Sequence, residues 1–289
     1  MRRRTFAAGA LALATTGAGA GAAEPPWIDA HAEVFVRGLA SGAFARHAPS
    51  YDASWETLLG LAADNGVGRA VIHQPWFLGY DNDYLFKALR AEPGRLRGVP
   101  WISPSLPVTD DDWETLQAIG VRGLRFPIWR LPTPDWPYYE AMLAEAQKRD
   151  WPIHLYVESG RLPSILPRLL DQGHRVVLPH FGMLDRKLGP LRDPGFELLL
   201  EKAATRRVWV VLSGAYRVGT ERAQPAAPLL LSAFGADRLM WGSDWPHADN
   251  NLDRVKTYRE TLRWLEQWVP DEATRRTILI DTPAKLYGF

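Results

Sequence analysis

The chain contains no cysteine. That single absence excludes disulfides, thiolate metal ligands and a cysteine nucleophile. Long apolar runs are missing too: the stretch FAAGALALATTGAGAGAA (6–23) is short and glycine-rich, which does not suit a membrane anchor. Charge of one sign is not in surplus, with 34 Lys and Arg against 33 Asp and Glu. Without a basic stripe, nucleic acid is a poor candidate partner. Nor is there a glycine-rich phosphate turn after the first strand candidate, where the chain reads VRGLASGAF (36–44). A doubly wound dinucleotide fold would want one there.

The N-terminus reads as a leader. Arg3-Arg4-Thr5-Phe6, a mild Ala/Leu/Gly stretch and a small-residue site at Ala18-Gly19-Ala20 form a secretory signal of the twin-arginine kind over residues 1–23. It implies passage through the twin-arginine export machinery, a periplasmic working place, and no membrane association once cleaved. Its removal takes three arginines and no acids, leaving 31 basic against 33 acidic residues and a net charge of about −2. Residues 24–289 suffice for one large domain, and no low-complexity linker divides them. Thirteen tryptophans belong mostly in a core or a pocket wall, since an exposed set that large invites association.

That domain alternates short apolar strands with amphipathic helical stretches. The strand candidates are WIDAHAEVF (27–35), RAVIHQP (69–75), LRGVPWIS (96–103), VRGLRFP (121–127), WPIHLYVE (151–158), HRVVLPH (174–180), RVWVVLS (207–213) and RLMWGSD (238–244). Stretches such as ASWETLLGLAADNG and NLDRVKTYRETLRWLEQW fill the gaps with helical periodicity. Eight such units predict an α/β fold, a single-domain (β/α)₈ TIM-like barrel.

A barrel's site lies at the C-terminal ends of its strands, and the polar residues gather there. His31 and Glu33 lie late in strand 1, Gln74 ends strand 2, Arg125 ends strand 4 and Tyr156 is near the end of strand 5. His180 ends strand 6, Arg217 follows strand 7 and Asp244 closes strand 8. Side chains two apart on a strand share a face, so Asp29, His31 and Glu33 should point the same way. His73 and His154 fall earlier on their strands and are assigned to the core. Arg122 should face away from Arg125 toward a helix, and Asp81-Asn82 should cap the helix after strand 2. Trp76, Phe77, Trp129 and Trp245 follow strand ends and are candidates for pocket walls.

MWGSDWPH (240–247), VRGLRF (121–126), LPHFG (178–182), SGAYR (213–217), HQPWFLGYDN (73–82), LRGVPWISP (96–104) and the closing PAKLYGF (283–289) resemble the amidohydrolase-related lactonases. The nearest branch is the one typified by 2-pyrone-4,6-dicarboxylate lactonase. The resemblance implies a hydrolase of a small polar or anionic lactone or ester. By it, Asp244 takes a proton from the attacking water, His31 and His180 polarise the carbonyl, and Tyr156 faces the substrate. Arg125, Arg130 and Arg217 would hold substrate carboxylates, as arginine forks do well, with Gln74 and His47 also at the substrate.

Two departures stand out. Glu33 replaces the second histidine of the strand-1 pair, exchanging a donor for an acceptor, a cation ligand or a second base. His47 stands where relatives commonly carry tyrosine. A single Zn²⁺ or Mn²⁺ would find mixed ligands in His31, Glu33, His180 and Asp244. The lactonase branch and the tyrosine on strand 5 favour no obligatory metal. Two other readings stay open: a metal-dependent decarboxylase of the same superfamily, and a carboxylate-binding protein that kept the barrel without its chemistry.

Overall fold

The structure is a computed structural model that describes residues 26–43, 45, 49–247 and 257–289. The expected leader (1–23) and His47 lie outside the described residues. Eight parallel strands run in chain order: β1 (Trp27–Glu33), β2 (Val67–His73), β3 (Leu96–Val99), β4 (Leu124–Pro127), β5 (Ile153–Tyr156), β6 (Val176–Leu178), β7 (Val208–Leu212) and β8 (Leu239–Trp241). They pair as β1-β2-β3 and as β4-β5-β6-β7-β8. Two seams close the ring. At the first, Gly98 bridges Val121 and the Arg125 N–H donates to the Pro100 carbonyl at 2.8 Å. At the second, the Asp244 N–H donates to the His31 carbonyl at 2.9 Å and the Glu33 N–H to the Trp245 carbonyl at 2.8 Å. The predicted barrel is present, with every ladder except β2 shorter than its apolar run because the strand ends peel away into loops.

Around the strands lie α1 (Trp55–Ala63), α2 (Asp83–Ala91), α3 (Asp110–Ala118), α4 (Trp136–Lys148), α5 (Leu162–Asp171), the single turn α6 (His180–Met183), α7 (Pro194–Lys202), α8 (Ala215–Val218), α9 (Thr220–Phe234) and α10 (Tyr258–Trp268). α11 (Glu272–Arg276), a π turn (Thr277–Asp281) and α12 (Thr282–Tyr287) finish the chain. Thr109 with Asp112 and Thr257 with Glu260 form reciprocal caps opening α3 and α10. Arg122 donates to the Gln117 carbonyl at the end of α3, where a cation suits the helix dipole. Asn82 does not cap α2. Its side chain instead bonds the backbone of Trp101, tying the loop after β2 to the segment after β3.

Ile28, Ala30, Val71, Val177, Val211 and Met240 fill the barrel interior, and Leu286 and Tyr287 of α12 pack into the same cluster. All thirteen tryptophans are buried or half-buried. One irregularity decides where the site forms. On β1 the register runs from Asp29 opposite Ala70 to Ala32 opposite Ile72, three residues of one strand against two of the other. Such a bulge re-aims the side chains that follow it. Asp29 therefore does not share a face with His31 and Glu33, as simple alternation predicts. It reaches Tyr258 of α10 instead, while His31 and Glu33 turn toward the barrel mouth.

Candidate active site

The bulge leaves an amide without a ladder partner, and Asp29 supplies one. Its Oδ1 accepts the His31 N–H at 3.1 Å and the Ser243 N–H at 2.9 Å. Its Oδ2 accepts the Ser243 and Tyr258 hydroxyls at 2.5 and 3.0 Å. One buried carboxylate thus ties the backbone of His31 to the turn that carries Asp244. Burial pushes its carboxyl up to about 6 against these donors.

Asp244 sits in that turn with φ +59°, a left-handed conformation unusual for a non-glycine residue. Its Oδ2 accepts the Tyr216 hydroxyl and Arg217 Nε, both at 2.5 Å, while Arg217 Nη2 lies 3.3 Å from Oδ1. Oδ1 is also 3.9 Å from His31 Nε2 and 3.9 Å from His180 Nε2. Burial alone would raise the Asp244 carboxyl, but Arg217, with His180 and His31, outweighs it and holds the group well below the carboxylate range. Gly214, at φ +54°, makes this approach possible. A Cβ there would stand 2.6 Å from His180 Nδ1 and 3.0 Å from Asp244 Oδ2.

His180 is likewise left-handed, at φ +54°. Its N–H donates to Ser213 Oγ at 3.2 Å, and the same Oγ lies 2.9 Å from Nδ1. The ionised Asp244 carboxylate in front of Nε2 favours the tautomer with the ring proton on Nε2, in which Nδ1 accepts from the Ser213 hydroxyl. Burial lowers the His180 imidazole to about 3, so it is neutral at physiological pH. His31 is also held well below its usual value, first by burial and then by His180. Both His31 ring nitrogens are buried without a hydrogen-bond partner.

Beneath His31 lie two histidines that sequence reasoning left in the core. His73 packs its ring 4.1 Å from that of His31 and bonds His154 between Nε2 and Nδ1 at 3.0 Å. Burial lowers both, His154 to about 3. Tyr216, Ser213 and Asp29 belong to the site although the strand-end candidates do not include them. Only Asp29 carried a signal, as a carboxylate inside an apolar strand.

A cavity of about 670 Å³ opens above this cluster. Its floor holds Glu33, Arg125, Tyr156, His180 and Arg217; His31 and Asp244, 2 % and 3 % exposed, lie just behind. Arg125 donates to Glu33 Oε1 at 2.7 Å and also to the Gln74 carbonyl. Tyr156 meets the edge of His180, with ring centroids 5.4 Å apart. The Gln74 side chain does not reach the cavity, contrary to expectation. It is fully buried and donates to the Gly79 and Asp81 carbonyls, pinning the loop after β2. Arg130 is exposed at the mouth, its guanidinium 4.3 Å above the Trp129 ring. Trp76 and Trp129 line the cavity, whereas Phe77 and Trp245 pack into the core.

His31, His180 and Asp244 offer three ligand atoms within 4.8 Å of one another. Two imidazoles and a carboxylate, with an orphaned His31 nitrogen aimed inward, fit a zinc- or manganese-type cation. Glu33 does not join that cluster, because Arg125 holds it.

The family profile described as amidohydrolase matches residues 28–289. A 4-sulfomuconolactone hydrolase of Rhizobium radiobacter is 30% identical over 245 residues, 82% of this chain and 81% of that protein. A crystal structure of a probable 2-pyrone-4,6-dicarboxylic acid hydrolase from Acinetobacter baumannii, with citric acid bound, superposes with a TM-score of 0.85 at 28% identity, covering 92% of this chain and all of the other. A Burkholderia multivorans amidohydrolase with bound zinc, 20% identical, shares the fold at a TM-score of 0.77 over 92% of this chain and all of the other. The matching profile spans the whole barrel, and the chain belongs to the amidohydrolase family.

Proposed function

We propose that this protein hydrolyses a small polar or anionic lactone, with water activated at Asp244 and the carbonyl polarised by His180 and His31. One observation carries the proposal: Asp244 Oδ1 faces two neutral imidazole Nε2 atoms at 3.9 Å each, while Tyr216 and Arg217 hold Oδ2. A water at Oδ1 has an acceptor for its proton, and the carbonyl oxygen has His180 Nε2–H as a donor. Water oxygen adds to the carbonyl carbon, its proton passes to Asp244, and the ring C–O bond breaks. The same proton then returns from the carboxyl to the departing oxygen. Arg217 and Tyr216 keep Asp244 oriented and ionised; Tyr156 covers the His180 edge. A divalent cation bound by His31, His180 and Asp244 would supply Lewis-acid polarisation.

The relatives' activities support lactone hydrolysis over the decarboxylase alternative. So does β5, where His154 bonds His73 below the site and Tyr156 faces the cavity. The leader pattern supports export to the periplasm, which cell fractionation checks.

A lactone panel followed by proton release tests the activity. Asp244→Asn should lower turnover at least 10²-fold, the usual effect of losing a general base, with the circular dichroism spectrum unchanged. Turnover within about tenfold of the parent would remove Asp244 from this role.

A further inference from the structure

Four large apolar side chains stand exposed among the described residues: Leu106, Tyr138, Leu188 and Leu191. All four follow the C-terminal ends of strands, on the mouth side of the barrel. Two of them share one loop, DRKLGPLRD (185–193), between α6 and α7. Leu191 is 83 % exposed and Leu188 43 %. Arg186, Lys187 and Arg192 flank them, all exposed, and no carboxylate among the described residues pairs with any of the three. The loop is held in this shape. Its neck is closed by the Asp185 N–H, which donates to Asp193 Oδ2 at 2.7 Å. Asp185 Oδ1 accepts the N–H groups of Lys187 and Leu188 at 2.6 and 3.0 Å, and the Gly189 N–H donates to the Asp185 carbonyl at 3.0 Å. Both acids of the loop are thus engaged by backbone, in the manner of a compact closed-neck loop. Such a loop keeps two leucines in water that burial elsewhere would stabilise.

We propose that loop 185–193 docks on an anionic phospholipid surface, its leucines entering the interface and Arg186, Lys187 and Arg192 meeting the lipid phosphates. Arg186 and Lys187 also line the cavity mouth, so docking there turns the mouth toward the bilayer. Apolar side chains flanked by cations are what interfacial binding requires. A second copy of the chain fits less well, because a two-fold contact through this loop sets the same three cations against each other. Leu106 and Tyr138 stay out of the contact. Exposed Asp110, Asp111 and Asp135 lie within a few residues of them in the chain, and an anionic surface repels these. No helix among the described residues is long and apolar enough to cross a membrane, so the contact is peripheral. It departs from the expectation of no membrane association after leader cleavage, which rested on apolar length.

Vesicle sedimentation tests this with residues 24–289, which hold every described element and lack the apolar, basic leader that would bind lipid itself. Vesicles of equal parts phosphatidylglycerol and phosphatidylcholine should bind at least about tenfold more tightly than phosphatidylcholine alone at low salt, each cation near the surface being worth roughly fivefold. High salt should erase most of that preference. Leu188→Ser with Leu191→Ser, and separately Arg186→Gln with Arg192→Gln, should each weaken binding at least about tenfold with circular dichroism spectra unchanged. Leu106→Ser should bind as the parent does. Equal binding to the two vesicle types, no binding, insensitivity to both loop variants, or an equal loss in Leu106→Ser overturns the proposal. So does a chain that ignores vesicles but self-associates in sedimentation velocity until the two leucines are replaced, which would make the loop an interface between copies.

Discussion

Lowering the pH from 7.5 to 5.5 should remove roughly 5 kcal/mol of folding stability, because the barrel interior holds its histidines uncharged. His31 and His73 are held well below the usual imidazole range, and His154 and His180 lie at about 3, burial being the largest cause in each. In the unfolded chain each titrates near 6.5. As the pH falls through that value the unfolded state binds protons that the folded state refuses. Stability is therefore present above about 6.5 and lost progressively below it. At pH 5.5 each group has removed about 1.4 kcal/mol, and four together between 5 and 6. Asp29 opposes them. Raised to about 6, it takes a proton in the folded state first, returning about 0.8 kcal/mol by pH 5.5. The remaining loss is comparable to the whole stability of a marginal domain.

Urea unfolding at pH 7.5, 6.5 and 5.5 measures this directly. The double variant His73→Gln with His154→Gln removes two titrating groups and should cut the pH-dependent loss by about half. A native loss under about 1 kcal/mol, or an undiminished loss in the double variant, would refute the linkage.

Glu33→His frees Arg125 to take a carboxylate beside the ester. The catalytic efficiency toward a pyrone dicarboxylate should rise at least about tenfold while a hydroxylated substrate loses ground, and steady-state kinetics with both would expose an unchanged preference. Arg217→Met leaves Asp244 buried and unpaired, so stability should fall by about 3 kcal/mol and turnover should drop alike for a carboxylated lactone and its methyl ester. A selective rise in the Michaelis constant for the carboxylated form would instead make Arg217 a substrate ligand. Asp29→Ala strips four donors of their acceptor and should cost at least about 3 kcal/mol, lowering turnover more than the Michaelis constant. Tyr258→Phe, which removes one of those bonds, should cost about 1 kcal/mol with turnover nearly intact.

The barrel was legible because its signal is repeated. Eight apolar runs separated by helical periodicity report the same architecture, and errors at single boundaries do not compound. The gathering of His31, Glu33, Arg125, Tyr156, His180, Arg217 and Asp244 at one end followed from the rule that strands of a barrel end at the site. What alternation could not show is the β1 bulge. A strand pattern assumes two-residue periodicity, and one extra residue between Asp29 and Ala32 sends Asp29 to α10 and His31 into the site. Gln74 failed for a related reason: it follows the end of its strand, but the next loop folds back and captures its amide. Tyr216 gave no warning, because its position on Asp244 depends on the left-handed turns at Gly214 and Asp244, which no local pattern announces.

The pairing of charges on the cavity floor bears on product release. Glu33 offsets Arg125 and Asp244 offsets Arg217, so the deep end presents polar groups with little net attraction for an anion. On the proposed chemistry, ring opening creates a new carboxylate there, within reach of Asp244 and close to Glu33. The two floor cations are already committed, so the new charge finds no unpaired cation there. Each pair is close to neutral, and nothing on the floor retains the product strongly. With a histidine in place of Glu33, Arg125 would be unpaired and would hold the new carboxylate. The glutamate thus costs affinity for a carboxylate beside the ester and favours departure of the one that hydrolysis makes. Release of the ring-opened acid should accordingly be slower from Glu33→His than from the parent, and stopped-flow fluorescence with the acid alone, apart from any turnover, separates this effect from substrate choice.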